Sequence, residues 1–151
     1  MKKLALLFLS LLFTASCSKN DVNNKNPFLP NYSFDTGDLI NTALPLYSTL
    51  NNAGSHFTIG NNYGINGVVI YYSGTNYSAF ELSDPNHTLQ TCSILSIQGV
   101  VATCSCDDGN SYDILVGLPR EGTTGQYTLK PYFVEVIENN QFGKIIRIYN
   151  N

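Results

Sequence analysis

The stretch VVIYYSGTNYSAFEL, residues 68–82, decides the fold class of this chain. Val68–Tyr72 and Tyr77–Leu82 are rich in β-branched and aromatic residues, and Ser73–Asn76 between them has the composition of a tight turn. Short apolar runs separated by Gly- and Asn-rich turns continue on both sides of this stretch. The other strand candidates are Phe57–Ile59, Ser93–Ile97, Val100–Thr103, Tyr112–Leu115, Tyr132–Ile137 and Lys144–Tyr149.

No helical periodicity follows the N-terminal segment, so the pattern predicts an all-β protein. The predicted domain is single and covers roughly residues 34–151. Ile137–Gly143 lies between two alternating strands and is predicted to form the loop of a C-terminal hairpin.

Composition agrees with one small β domain and excludes several classes of protein. The chain has 151 residues, of which 43% are hydrophobic and only 13% are charged. A helical bundle or coiled coil needs more Glu, Lys and Leu. The formal net charge of −3 argues against a nucleic-acid partner, because such proteins present a basic surface.

The N-terminal segment predicts export and a lipid anchor. Lys2 and Lys3 precede an apolar run at residues 4–13, which is too short to span a bilayer and is typical of a signal peptide. Thr14-Ala15-Ser16 followed by Cys17 resembles a bacterial lipobox. The resemblance implies a signal peptide at residues 1–16, lipidation of Cys17 and a polar, flexible tether at residues 17–33. The alternative is ordinary secretion without lipidation of Cys17.

These features predict a lipoprotein of the bacterial cell envelope. The lipid anchor makes the membrane its expected partner. Ser18-Lys19 gives no strong signal for retention in the inner membrane, so the outer membrane is the favoured location. If Cys17 carries lipid, three cysteines remain in an oxidising compartment, namely Cys92, Cys104 and Cys106. One disulfide and one further thiol are then possible.

A second set of residues resembles the Rieske iron–sulfur family. His87 is followed after sixteen residues by Cys104-Ser105-Cys106-Asp107-Asp108-Gly109, much as the two boxes of that family are spaced. Downstream, Tyr112-Asp113, Gly117-Leu118-Pro119 and Leu129–Val136 resemble three further segments of the family in the same order. The likeness implies stacked antiparallel sheets with a small loop-rich subdomain that carries the boxes, here about residues 84–113.

The resemblance also implies a degenerate cluster site. A Rieske [2Fe–2S] cluster needs two thiolates on one iron and two imidazoles on the other. His87 and Cys104 match two of the family ligands, but Pro85 falls where the first-box cysteine belongs and Asp107 where the second-box histidine belongs. Asp84 and Asp107 are the possible substitute ligands, although carboxylates are poor replacements for thiolate and imidazole. A mononuclear metal site built from His87, Cys104, Asp107 and Asp84 is a further alternative.

Some family members carry a disulfide between the two box loops. By that resemblance the partners here are Cys92 and Cys106, and Cys92–Cys104 is the competing pairing. A Cys92–Cys106 bond would close a loop of about fifteen residues and contribute about 3 kcal/mol in the chain-entropy model.

The function expected from these observations is that of a non-enzymatic structural or binding module with no bound cofactor. Two alternatives remain open. The first is a functional Rieske-type [2Fe–2S] electron-transfer protein with unusual ligands. The second is a small-molecule or glycan-binding lipoprotein, which predicts an aromatic-lined cleft.

Overall fold

The computed structural model describes residues 26–60 and 62–151. The predicted signal peptide at residues 1–16, Cys17 and the tether up to residue 25 lie outside the described residues. The ten strands are β1 (Phe34–Asp35), β2 (Ile40–Asn41), β3 (His56–Ile59), β4 (Val68–Tyr72), β5 (Tyr77–Glu81), β6 (Ser96–Gln98), β7 (Val101–Thr103), β8 (Ser111–Asp113), β9 (Phe133–Asn140) and β10 (Gly143–Asn150). Two 3-10 segments, Pro45–Asn51 and Thr91–Ser93, complete the described elements. None of the helices in this part of the chain has the length and apolar character needed to cross a bilayer.

The hairpin predicted over residues 68–82 forms strands β4 and β5 of a three-stranded antiparallel sheet, and β3 pairs with β4 on its other side. All five residues of β4 are buried because the strand has a core on each face. Val68 and Ile70 pack in what we call the first hydrophobic cluster, whereas Val69 and Tyr71 pack in the second hydrophobic cluster. Burial on both faces explains why this strand is a continuous apolar run rather than an alternating one.

Two tyrosines pack against each other across β4 and β5. Tyr72 pairs with Tyr77 in the register of β4 and β5, and their rings stack with centroids 4.3 Å apart. Lys144 from β10 lies 4.3 Å from the centre of the Tyr72 ring and bonds both tyrosine hydroxyls. Through these contacts the two tyrosines hold β10 against the first sheet.

The second sheet covers the first hydrophobic cluster. Its long strand β10 pairs with β9 along one edge and with the short strands β1 and β2 along the other, all antiparallel. Ile146 and Ile148 of β10 and Ile40 of β2 are fully buried in that cluster. The predicted C-terminal hairpin is formed, but its loop is shorter than the predicted span Ile137–Gly143, because β9 continues to Asn140 and β10 begins at Gly143. The Asn140 Oδ1 accepts the backbone N–H groups of Phe142 and Gly143, which closes the turn within two residues.

The third sheet, β6-β7-β8, forms the small subdomain and is connected by long loops. Tyr112, Ile114 and Ala102 are fully buried in the second hydrophobic cluster, against the opposite face of β4. We call residues 82–95 the first loop, residues 104–110 the second loop and residues 114–132 the third loop. The all-β architecture with antiparallel sheets and a loop-rich subdomain therefore agrees with the fold class predicted from the sequence.

Residues before the predicted domain boundary also make contacts. Leu29 is buried, the Asn26 amide donates to the backbone oxygen of Pro85 at 2.7 Å, and Lys130 donates to the backbone oxygen of Pro30 at 2.8 Å. The packed part of the chain therefore includes residues that precede Phe34.

Candidate functional site

The three cysteines of the described residues come together where the first and second loops meet. Cys92 and Cys106 form a disulfide with their Cα atoms 4.9 Å apart. Cys104 is a free thiol and is buried. The competing Cys92–Cys104 pairing is not the one formed in this structure. The 3-10 turn Thr91–Ser93 positions Cys92, and it is held by reciprocal hydrogen bonds between Gln90 and Ser93.

The Cys104 thiol faces backbone groups of both loops. Its Sγ accepts the backbone N–H of Cys106 at 3.4 Å and donates to the backbone oxygen of Cys92 at 3.6 Å. Burial, with a smaller contribution from the nearby Asp84, raises the pKa of this thiol to about 12, and the N–H of Cys106 opposes the shift only in part. Cys104 is therefore a neutral thiol at physiological pH, not a reactive thiolate.

His87 and Asp108 complete two groups of donor atoms around the disulfide. A ring nitrogen of His87 and the sulfurs of Cys92 and Cys106 all lie within 4.8 Å of one another. The sulfurs of Cys104 and Cys106 form the second such group with a carboxylate oxygen of Asp108. The His87 Nδ1 lies 2.5 Å from the backbone oxygen of Thr88. Because a carbonyl can only accept, Nδ1 is the donor in this contact.

The two aspartates predicted as substitute ligands have different environments. Asp84 is fully buried and its carboxylate already accepts three hydrogen bonds. The donors are the Tyr112 hydroxyl at 2.5 Å, the backbone N–H of Asn86 at 2.8 Å and the Asn110 amide at 3.0 Å. Asp107 is exposed and belongs to neither donor group. The structure thus brings His87 and Cys104 near the disulfide, but it gives Asp84 a structural role.

Asn86 and Asn110, which the sequence analysis did not single out, connect the loops. The Asn86 side chain bonds the backbone N–H and C=O of Tyr127 in the third loop and donates to the Tyr112 hydroxyl. The Asn110 Oδ1 accepts the backbone N–H of Thr124, also in the third loop. The available signal was Asx-turn composition in Asp-Pro-Asn and Asp-Gly-Asn, which predicts turns but not their distant partners.

A close approach at Gly125 completes this network. A Cβ atom at Gly125 would lie 2.3 Å from Oδ1 of Asn86, and the residue has a positive φ of 95°. Only glycine therefore allows the third loop to reach the Asn86 amide without moving it.

The donor set does not match a Rieske cluster. Two thiolates and two imidazoles are required, whereas here two sulfurs are bonded to each other and the loops contain one imidazole. The chain's other histidine, His56, lies on β3 opposite Tyr71, in a different sheet.

A separate groove lies between residues 26–31 and residues 126–131. It has a volume of about 770 Å³. Among the described residues that line it, Tyr127 is the one aromatic side chain. The aromatic-lined cleft predicted by the ligand-binding alternative is not formed by this groove.

Comparisons with known proteins find similarity among solved structures. No family model matches the sequence, and no curated protein matches it. Among solved structures, the chain is similar to one described as a complex of reduced oxygenase and oxidized ferredoxin in carbazole 1,9a-dioxygenase. The similarity covers 65% of this chain and 82% of that chain, with 20% sequence identity and a TM-score of 0.39.

Proposed function

We propose that this protein is a lipid-anchored module of the bacterial envelope, with a Rieske-like domain that has a structural or binding role and no catalytic one. The observation that carries the proposal is the Cys92–Cys106 disulfide, which joins the first and second loops covalently. In a Rieske site the metal cluster joins the two loops. Here a bond between two side chains provides that connection.

The hydrogen bonds of Asp84, Asn86 and Asn110 also support the proposal of a module without a cluster. They tie the first loop to the second and third loops through buried or half-buried polar groups. A buried network with all of its partners rigidifies the region it connects. The subdomain therefore has its own means of keeping the three loops together, which is what a module without a cluster requires.

The expected anchor would hold this subdomain close to the membrane. Asn26 bonds the first loop at Pro85 and lies nine residues after Cys17 (26 − 17). Nine extended residues reach at most about 30 Å. With Cys17 in the bilayer surface, the Pro85 side of the domain would stay within that distance of the lipid headgroups, facing partners on the same membrane.

A metal and spectral assay tests the module function. The full-length chain is expressed in cells that assemble iron–sulfur clusters, extracted in non-ionic detergent and purified without oxygen. We expect a colourless, folded protein without iron or acid-labile sulfide. About two irons and two sulfides per chain, with visible absorbance, would contradict the proposal and favour the electron-transfer alternative.

Labelling with a radioactive fatty acid tests the anchor separately. We expect the wild-type chain to incorporate label and to partition with membranes. Cys17→Ser should lose both properties, whereas Cys104→Ser, which removes a cysteine within the domain, should keep them. Equal labelling of the wild type and Cys17→Ser would contradict the lipid anchor and leave the cluster question unaffected.

A further inference from the structure

The disulfide region contains four soft or borderline metal ligands within a small volume. Three are sulfurs and one is an imidazole nitrogen, supplied by Cys92, Cys104, Cys106 and His87. Cys106 belongs to both of the donor groups described above, so its sulfur lies within 4.8 Å of each of the other three donors. In the oxidised protein two of these sulfurs are bonded to each other and are unavailable as thiolates.

We propose that reduction of the Cys92–Cys106 disulfide creates a tetrahedral site for a thiolate-preferring divalent ion such as Zn²⁺. The ligands are Cys92, Cys104, Cys106 and His87. Three thiolates and one imidazole form a standard structural zinc set. The proposal goes beyond the module function, because it does not depend on whether Cys17 carries lipid.

The distances in the oxidised protein are close to those the ion requires. Zinc–sulfur bonds of about 2.3 Å place sulfurs about 3.8 Å apart in a tetrahedron. The separations within the group of His87, Cys92 and Cys106, and that between Cys104 and Cys106, are at most 4.8 Å, so they exceed this spacing by about 1 Å at most. Cys104 shares no donor group with Cys92 or His87 and lies farther from these two, so its side chain must rotate towards them when the ion binds. His87 is suitably prepared, since Thr88 accepts from Nδ1 and the neutral ring then has its lone pair on Nε2. This arrangement is the usual outer-shell contact of a metal-bound histidine.

Contacts other than the disulfide keep the sulfurs together after reduction. The backbone N–H of Ser105 donates to the backbone oxygen of Cys92 at 3.0 Å, across the two loops. The N–H of Cys106 donates to the Cys104 sulfur, which is the type of bond that stabilises a metal-bound thiolate. Asp84 also bonds Asn110, so the two loops remain joined at a second place. Reduction therefore frees ligands without freeing the loops.

The chemistry balances with a dithiol as reductant. The dithiol supplies two electrons and two protons, becomes a disulfide, and leaves Cys92 and Cys106 as thiols. On binding, the ion displaces one proton from each of the three cysteines to solvent, and His87 binds through its neutral ring. The resulting centre carries a net charge of −1. An added disulfide that accepts two electrons from the Cys92 and Cys106 thiolates, and takes up two protons to become a dithiol, would re-form the bond and expel the ion.

Cobalt titration tests the site directly. The full-length Cys17→Ser chain, in which the N-terminal thiol cannot interfere, is reduced without oxygen by a phosphine, which takes up oxygen from water as its oxide. Co²⁺ is then added. We expect one cobalt per chain, with sulfur-to-cobalt charge-transfer bands in the near ultraviolet and tetrahedral bands in the red. One equivalent of Zn²⁺ should bleach them. The unreduced protein should show none of these bands, and their absence after reduction would overturn the proposal.

Variants distinguish this four-ligand site from simpler ones. Cys104→Ser should remove about one third of the charge-transfer intensity, because two thiolates remain of three, and should weaken cobalt binding more than about 100-fold. Asp107→Asn, an exposed neighbour outside the donor groups, should bind like the parent. Parent-like bands in Cys104→Ser would mean that Cys92 and Cys106 alone bind the ion, which would overturn the assignment.

The fourth ligand is tested in the same way. His87→Ala should weaken binding, whereas Asp108→Asn should not, because both Asp108 oxygens already accept from Asn110. The reverse result would overturn the role of His87. Loss of the near-ultraviolet tyrosine dichroism would show that Cys104→Ser does not fold. In that case the cobalt titration of His87→Ala decides the outcome, because His87 is partly exposed.

Discussion

Replacing Tyr112 by phenylalanine removes one oxygen atom from the centre of the polar network that joins the three loops. The Tyr112 side chain is fully buried, and its hydroxyl donates to Asp84 at 2.5 Å while accepting from the Asn86 amide at 3.0 Å. The substitution keeps the ring in the second hydrophobic cluster. Its effect on the free energy of unfolding therefore reports the hydrogen bonds and not the packing.

The magnitude follows from what each partner retains. A hydrogen bond to a charged group contributes about 1.5–3 kcal/mol, and a neutral one about 1 kcal/mol. Asp84 keeps two of its three donors, and the Asn86 amide keeps the backbone oxygen of Tyr127, so no polar atom is left without a partner. We expect Tyr112→Phe to lower the free energy of unfolding by about 2–3 kcal/mol.

Urea unfolding of the full-length chain in detergent, followed by circular dichroism, measures this difference at constant m-value. Tyr32→Phe is the control, because that ring is 54% exposed and its hydroxyl can bond water. Asp84→Asn adds a second test, since the double variant should cost about 1–2 kcal/mol less than the sum of the two single variants. A cost below about 0.5 kcal/mol for Tyr112→Phe, or strict additivity with Asp84→Asn, would refute the view that this bond holds the loops together.

Three further predictions concern other parts of the fold. Replacing Cys92 and Cys106 together by serine, which removes a bond with a sequence separation of 14, should cost about 3 kcal/mol in urea unfolding, and a cost under about 1 kcal/mol would contradict it. Burial raises the pKa of Tyr132 above its ordinary value of 10, so its contribution to stability is complete below pH 10 and is lost as the pH rises beyond it. Tyr132→Phe should make the alkaline fall of the urea midpoint shallower, and an unchanged curve would argue against this. The Arg147 guanidinium lowers the pKa of Asp35 from 3.8 to about 2. The contribution of ionised Asp35 to folding stability is therefore present above pH 3.8 and is lost as the pH falls towards 2. Carboxyl NMR should find that midpoint near 2 and see it move towards 3.8 in Arg147→Gln, and a midpoint near 3.8 in the wild type would be the contrary result.

The parts of the fold that the sequence predicted are those with local causes. The hairpin at residues 68–82 combines two strands with a turn between them, so all of its information lies in one window. The end of β9 was predicted as a loop because Glu138, Asn139 and Asn140 have low strand propensity. Pairing with β10 overrides that preference. The two-residue strands β1 and β2 have no pattern of their own, since both exist only as partners of β10.

The candidate site also has a part that the sequence predicts and a part that it does not. The three cysteines and His87 stand out in the sequence by residue type, and the family likeness pointed to the pairing that the structure contains. The burial of Asp84 had no such signal, because its partners Asn110 and Tyr112 lie 26 and 28 residues away. The carboxylate that the sequence offers as a metal ligand is therefore fully hydrogen-bonded in the fold.

Two buried carboxylates, one at the end of β5 and one in the first loop, bind tyrosines from two downstream segments. Glu81 is fully buried and accepts the Tyr132 hydroxyl at 2.5 Å, and Asp84, three residues later, accepts the Tyr112 hydroxyl at the same distance. Both tyrosines belong to segments that the likeness singled out. Burial together with the neighbouring carboxylate raises the pKa of each phenol, so each remains a donor at physiological pH. The side chains of Glu81 and Asp84 thus connect β8 and the segment that leads into β9 to the end of β5 and the first loop. This connection is made by hydrogen bonds between protein groups and needs no metal.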